Sequence, residues 1–212
     1  MTEVVWHSGY LDLPADPGEA PVVWYVRLDD ADTEKTAHSA TLSRADLQDL
    51  ARRPEAGMRG IRRRLLKVLL ARLSDLHPDE IIVGRTEPGA PRILHPAGWN
   101  ISVAGRWPHC LIGVSRSPIG VDIEPLDAEP PAEDSFTPAE AIELQGASSA
   151  TLLARWVAKE AHAKCLGIAS RIDAAEIETR TARDRLDVVS GFGTTASIVR
   201  VHGSTVQAFA FL

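Results

Sequence analysis

Cysteine is scarce in this chain. Cys110 and Cys165 are the only two among 212 residues, and each sits among apolar neighbours. Two isolated thiols build neither a disulfide framework nor a cysteine-based zinc site, and they suit a reducing compartment. Long hydrophobic runs are missing too: no stretch reaches the roughly 18 apolar residues that a membrane-spanning helix needs. The opening MTEVVWHSGY lacks the charged start, apolar run and cleavage site of a secretory signal. The expectation is a soluble, cytoplasmic protein with no membrane partner. Gly84, Gly89, Gly98 and Gly105 fall into neither the dinucleotide-binding nor the phosphate-loop glycine pattern. No repeat of short fixed period occurs. Basic charge is not in excess either, since 29 acidic residues outnumber 23 basic ones for a net charge of −6. That excludes a protein whose whole surface coats nucleic acid, and no nucleic-acid partner is expected.

What is present is the composition of a globular protein, 44% hydrophobic and 25% charged. Such a chain buries a core as one domain or two small ones without staples. Its charge is uneven along the sequence. Residues 1–60 carry 6 basic and 11 acidic side chains, residues 61–118 carry 9 and 4, and residues 119–212 carry 8 and 14. Between Glu55 and Asp75 no acid interrupts Arg59, Arg62, Arg63, Arg64, Lys67 and Arg72. Like charges this close repel, so the cluster needs either acids elsewhere in the fold that pair with it or a bound anion such as phosphate.

Apolar periodicity places strands at 4–7 and 22–28, and helices after Ser43 and over 58–76. Short strands are expected at 80–83, 91–94, 100–103, 110–115 and 119–124, punctuated by Pro88-Gly89, Pro96, Gly98 and Pro118. The acidic stretch 126–135, with Pro130-Pro131, reads as a loop. Helices follow at 138–144 and 151–166, then period-2 strands at 187–190, 196–201 and 206–212. This order argues for an α+β fold in two comparable halves, residues 1–118 and 119–212.

Two segments carry side chains suited to chemistry. In Gly120-Val121-Asp122-Ile123-Glu124-Pro125, alternate residues of a strand share a face, so Asp122 and Glu124 project together while Val121 and Ile123 bury on the other side. Two adjacent carboxylates repel unless a cation or proton relieves them, although an exposed strand end with two acids is the plainer alternative. In Trp156-Val157-Ala158-Lys159-Glu160-Ala161-His162-Ala163-Lys164, the residues Trp156, Glu160 and Lys164 line one helix face. A Glu–Lys pair at this spacing is also an ordinary surface pair. Taken with Asp122 and Glu124, however, Glu160 completes three oxygen donors suited to Mg²⁺, and Lys164 would lie near the same phosphates. His162, Cys165, His109 and Cys110 read as core packing rather than as nucleophile and base.

These residues resemble the phosphopantetheinyl transferase family of the surfactin-synthetase type, whose members attach the 4′-phosphopantetheine arm of coenzyme A to carrier proteins. The most specific similarities are Gly120-Val121-Asp122-Ile123-Glu124 and the helix Trp156-x-x-Lys159-Glu160-x-x-x-Lys164. Trp99-Asn100-Ile101-Ser102, Pro118-Ile119 and Phe136-Thr137-Pro138-Ala139-Glu140 add weaker support. The resemblance implies a monomer of two similar α+β halves related by a pseudo-twofold axis, binding coenzyme A and Mg²⁺ in the cleft between them. It implies Asp122, Glu124 and Glu160 as metal ligands, Glu160 as base for the carrier serine, and Lys164 as the cation on the leaving phosphate. Arg59, Arg63, Arg85, Arg92 and Ser102 are the residues it points to for the nucleotide, and an acyl or peptidyl carrier protein is the implied partner.

The chain departs from the family where cations usually grip the coenzyme A 3′-phosphate. Val103 and Ala104 stand in place of His and Ser, and Ala90 in Gly89-Ala90-Pro91 stands in place of Lys. Arg85, Arg92 or Arg106 is near enough in sequence to substitute. The alternatives are an enzyme on the same scaffold that has lost coenzyme A binding and acts on another intermediate, free or carrier-tethered, and a silent module that docks a carrier protein.

Overall fold

A computed structural model describes residues 4–9, 20–51, 54–86 and 89–212. Strands and helices are mixed along the chain, and the fold is α+β. The chain divides into two compact units. One comprises the residues up to Ile101 together with Trp107–Arg116, the other Ser102–Arg106 and Ser117–Leu212.

In the first unit the strands are β1 (Val5–Ser8), β2 (Val22–Arg27), β3 (Ile82–Arg85), β4 (Pro91–His95), β5 (Asn100–Ala104) and β6 (His109–Ser115), with β5 running on into the second unit; the helices are α1 (Ala31–Ala37), α2 (Arg44–Ala51) and α3 (Ala56–Ser74). The main sheet is ordered β1-β2-β6-β5, and β3 and β4 form a separate antiparallel pair. Strand β2 runs parallel to β1 and antiparallel to β6. Its Val22, Val23 and Trp24, with Leu111 and Ile112 of β6, are wholly buried, which accounts for their unbroken apolar run. Helix α3 turns Leu65, Leu66, Leu69 and Leu70 into the core and packs on α1 and α2.

Helix α1 carries no apolar stripe, so periodicity gives no sign of it. It is held at its start by Asp30, whose carboxylate accepts from the Thr33 backbone N–H at 2.9 Å. The turn at Pro88-Gly89 falls partly outside the described residues, since Pro88 is not among them.

The second unit is a five-stranded antiparallel sheet crossed by one long helix. Its strands are β7 (Ile119–Pro125), β8 (Glu178–Ala182), β9 (Arg185–Ser190), β10 (Gly193–His202) and β11 (Thr205–Phe211), and its helices α4 (Pro138–Glu143) and α5 (Ser149–Cys165). The sheet is ordered β7-β11-β10-β9-β8. In the β7–β11 register Gly120, Asp122 and Glu124 oppose Ala210, Ala208 and Val206. Those three β11 residues form a core cluster with Leu153, Val157, Ala161 and Cys165 of α5. Pleat geometry therefore sets Asp122 and Glu124 on the face that α5 covers, and Val121 and Ile123 bury on the other.

Strand β8, Glu-Thr-Arg-Thr-Ala, is not among the strands the sequence suggests, since it carries no apolar alternation. It is an edge strand paired with β9 in the register Thr179↔Val188. Among the described residues no helix is long and apolar enough to cross a membrane.

Candidate functional site

Strand β7 and helix α5 bring the acidic residues together. Their backbones approach so closely at Gly120 that a Cβ there would press on the Ala161 carbonyl and lie 2.7 Å from the Cys165 nitrogen. The approach sets Lys164 of α5 against Asp122, with Nζ donating to Oδ1 at 2.5 Å. Glu124 faces a different cation: Arg106 Nε lies 2.7 Å from its Oε2. The backbone N–H of Val121 donates to Ser102 Oγ at 2.9 Å, which ties the segment bearing Arg106 to β7. Ser102, to which the resemblance points for the nucleotide, is thus buried with its hydroxyl positioning the acidic strand.

The three carboxyls feel one another. Burial pushes the Asp122 carboxyl above its ordinary range despite the attraction of Lys164. Glu124 is raised by burial and by the Asp122 charge, against the pull of Arg106. Glu160 is raised by burial, then by Asp122 and Glu124. Burial alone would lower Lys164, but the combined attraction of Asp122, Glu160 and Glu124 holds it above its ordinary value. All three acids are short of positive charge.

Two buried oxygens, Asp122 Oδ2 and Glu124 Oε2, make no hydrogen bond, the latter having Arg106 only as a close ion pair. Hard carboxylate oxygens with unused capacity are the donors a divalent cation such as Mg²⁺ takes, so the donor set fits one. As the side chains stand, no group of three or more His, Cys, Asp or Glu among the described residues gathers as a metal site. Lys164 and Arg106 hold Asp122 and Glu124 instead.

The neighbouring Lys159 has a different task. It is wholly buried and donates to Glu140 Oε2 at 2.6 Å and to the Ser135 and Ala174 carbonyls at 3.0 Å. Glu140 in turn accepts from the Thr179 N–H at 2.9 Å and from the Thr137 N–H in the capping box that starts α4. Phe136 lies beneath the Lys159 ammonium. Phe136, Thr137 and Glu140 therefore lock α4 to α5. His162 is buried between Thr195 and Ser190 hydroxyls, and burial lowers it to about 4. Burial pushes the Cys110 and Cys165 thiols up to about 12, so neither is a thiolate nucleophile.

The basic helix finds acids within its own unit. Arg63 reaches Asp46 Oδ1 at 2.6 Å and Asp49 Oδ2 at 3.0 Å, and Lys67 reaches Asp46 Oδ2 at 3.3 Å. Arg85 binds Asp49 and the Gly89 carbonyl. The guanidinium groups of Arg63 and Arg85 are thus engaged inside the unit. Arg59 donates to the Pro54 carbonyl, and Arg92 is exposed on β4. The acids that pair with this cluster, Asp46 and Asp49, do not stand out in the sequence. The available signal was their helical spacing, which puts both on one face of α2 as Arg63 and Lys67 share one face of α3.

The Asp46 ion pairs make acid stability sensitive to this residue. Burial would raise its carboxyl, but hydrogen bonds from Ser43 and the charges of Lys67 and Arg63 hold it below the usual range. A depressed folded-state value contributes stability above the unfolded value near 4 that is lost as pH falls through the folded one. Asp46→Asn should therefore cost about 3 kcal/mol at pH 7, since Lys67 stays buried without its anion. Urea titrations at pH 7 and pH 3 should show the mutant losing less than wild type between the two; an equal loss would remove Asp46 as a cause.

Strand β7, helix α5 and the acid cluster lie within one stretch of the chain. Residues 118–206, which contain all of these but neither Arg106 nor Ser102, match the model of the 4′-phosphopantetheinyl transferase superfamily. Over that segment, which is less than half of the chain, the protein is similar to the superfamily. No curated protein matches the chain.

Proposed function

We propose that the protein transfers the 4′-phosphopantetheine arm of coenzyme A to a serine of an acyl or peptidyl carrier protein, with Mg²⁺ as cofactor. The observation that carries this reading is the cation-poor cluster of Asp122, Glu124 and Glu160 beside Lys164, inside the segment that matches the superfamily. Asp122, Glu124 and Glu160 would hold the metal, which supplies charge neutralisation on the diphosphate. The serine oxygen attacks the phosphorus bearing the arm, its proton passes to Glu160, and the bond to the departing phosphate breaks as Lys164 offsets the charge gathering there. A carboxyl raised by burial is a better base than an exposed one. Displacement at phosphorus depends on such positioning and charge more than on covalent catalysis.

A second reading is favoured by one observation. Val103 and Ala90 offer no cation, Arg85 is engaged with Asp49, and Arg106 with Glu124, which leaves Arg92, exposed on β4, as the remaining substitute. A scaffold that has given up the coenzyme A 3′-phosphate would act on a different intermediate, free or carrier-tethered.

Incubation with coenzyme A, Mg²⁺ and an apo carrier protein, followed by weighing the carrier, decides between them. The expected outcome is a carrier heavier by the arm, with Glu160→Gln slowing the transfer by about two orders of magnitude or more while circular dichroism stays unchanged. Titration calorimetry with coenzyme A and its dephospho form accompanies it, and binding of the two within a few-fold is expected. No mass gain with several carriers, and no heat with coenzyme A, would favour the second reading.

A further inference from the structure

We infer that Arg106 is an exchangeable counter-ion: it neutralises Glu124 while the site holds no metal, and turns to the diphosphate of the substrate once a divalent cation takes Glu124. The inference rests on the metal reading above and adds to it a residue outside the matched segment. Glu124 is a buried carboxylate with its side chain 9% exposed, whereas the Arg106 side chain beside it is 66% exposed. Such a pair is asymmetric. The carboxylate is fixed by strand β7, and the guanidinium is a long side chain from the loop after β5, free to swing through water at little cost.

The charges explain why it would swing. Asp122, Glu124 and Glu160 bring three negative charges against the two positive ones of Lys164 and Arg106. A divalent ion on Asp122 Oδ2 and on Glu124 Oε2, the oxygen that Arg106 faces, adds two more positive charges within a few ångströms of the guanidinium and overturns the balance. Lys164 is tied to Asp122 by a hydrogen bond and is three-quarters buried, so the mobile partner is Arg106. A guanidinium released beside a diphosphate finds a bidentate acceptor at once, two phosphate oxygens for two of its N–H groups.

Competition followed by cooperation has an unusual signature: removing the side chain should help the metal and harm the anion. Calorimetry of wild type, Arg106→Ala and Arg106→Gln with Mn²⁺ alone should show about three- to ten-fold tighter binding in both variants, the scale of one exposed charge acting on another nearby. Inorganic pyrophosphate titrated in saturating Mg²⁺ should bind both variants about ten-fold more weakly. Two substitutions at an exposed loop position guard against a folding defect in either. Shifts in the same direction for both ligands, or no shift in either, would overturn the inference while leaving the metal reading in place. Failure of every protein, wild type included, to bind Mn²⁺ would strike the metal reading itself, and the inference with it.

Discussion

Lys159→Met should cost the protein about 3–5 kcal/mol, enough to unfold much of the population at moderate urea. The ammonium is wholly buried, and its three hydrogen bonds go to a carboxylate and to two carbonyls in separate loops. Burial works against it, lowering its pKa despite the pull of Glu140. Methionine fills the volume but leaves Glu140, only 1% exposed, charged and without its cation. The double variant Lys159→Met with Glu140→Gln should recover part of the loss, because the amide oxygen of a glutamine can still accept from Thr179 with no charge to strand. Urea unfolding of the four proteins of this cycle measures the coupling. A loss below about 1 kcal/mol in the single mutant would show that the pair is not what holds α4 to α5.

Gly120→Ala should be nearly as damaging, and for a different reason. The added methyl would meet the Ala161 carbonyl group and the Cys165 nitrogen, all of them backbone, so no side chain can turn aside. Helix α5 has to move off β7, and overpacking of this kind costs about 3 kcal/mol or more. The movement also separates Lys164 from Asp122, now 2.5 Å apart. A displacement of about 1 Å at a reacting centre can cost two orders of magnitude in rate. Activity should therefore fall further than the folded fraction does. Gly57→Ala is the control, since a Cβ at that helical position meets nothing within 4 Å, and it should be neutral or slightly stabilising. Equal melting temperatures and transfer rates for Gly120→Ala and wild type would show that the close approach is unimportant.

The acidic strand was legible because its period is two and its apolar partners, Val121 and Ile123, could only face one way. The helix over Ser149–Cys165 was legible from its length and apolar spacing. Within it, the i, i+4, i+8 spacing singled out Glu160 with Trp156 and Lys164, and a turn of about 100° between consecutive helical residues puts Lys159 on another face. What spacing did not reveal is that Lys159 is buried on Glu140, nineteen positions away. The same limit hid the partners of Arg63 and Lys67: the acids lie on α2, and only the packing of two helices brings them into reach. Helix α1 and strand β8 escaped because each is mostly polar and is held by particular hydrogen bonds, Asp30 to Thr33 and Thr179 to Glu140. In the sequence Arg106 figures only as a substitute cation for the 3′-phosphate; its contact with Glu124 joins residues eighteen apart across an intervening strand, beyond any local pattern.

The chain enters and leaves the second unit more than once: Ser102–Arg106 belong to it, Trp107–Arg116 do not, and it resumes at Ser117. Dissection at the junction suggested by sequence, near residue 118, would therefore yield a C-terminal fragment missing the hydroxyl that receives the Val121 N–H and the guanidinium on Glu124. The stretch that defines the superfamily match would fare worse as a fragment, since it stops at residue 206, inside β11, and omits Gln207 and Phe209, both fully buried. Its acidic strand is held by a hydrogen bond and an ion pair to the short segment Ser102–Arg106, which lies ahead of that junction in the chain.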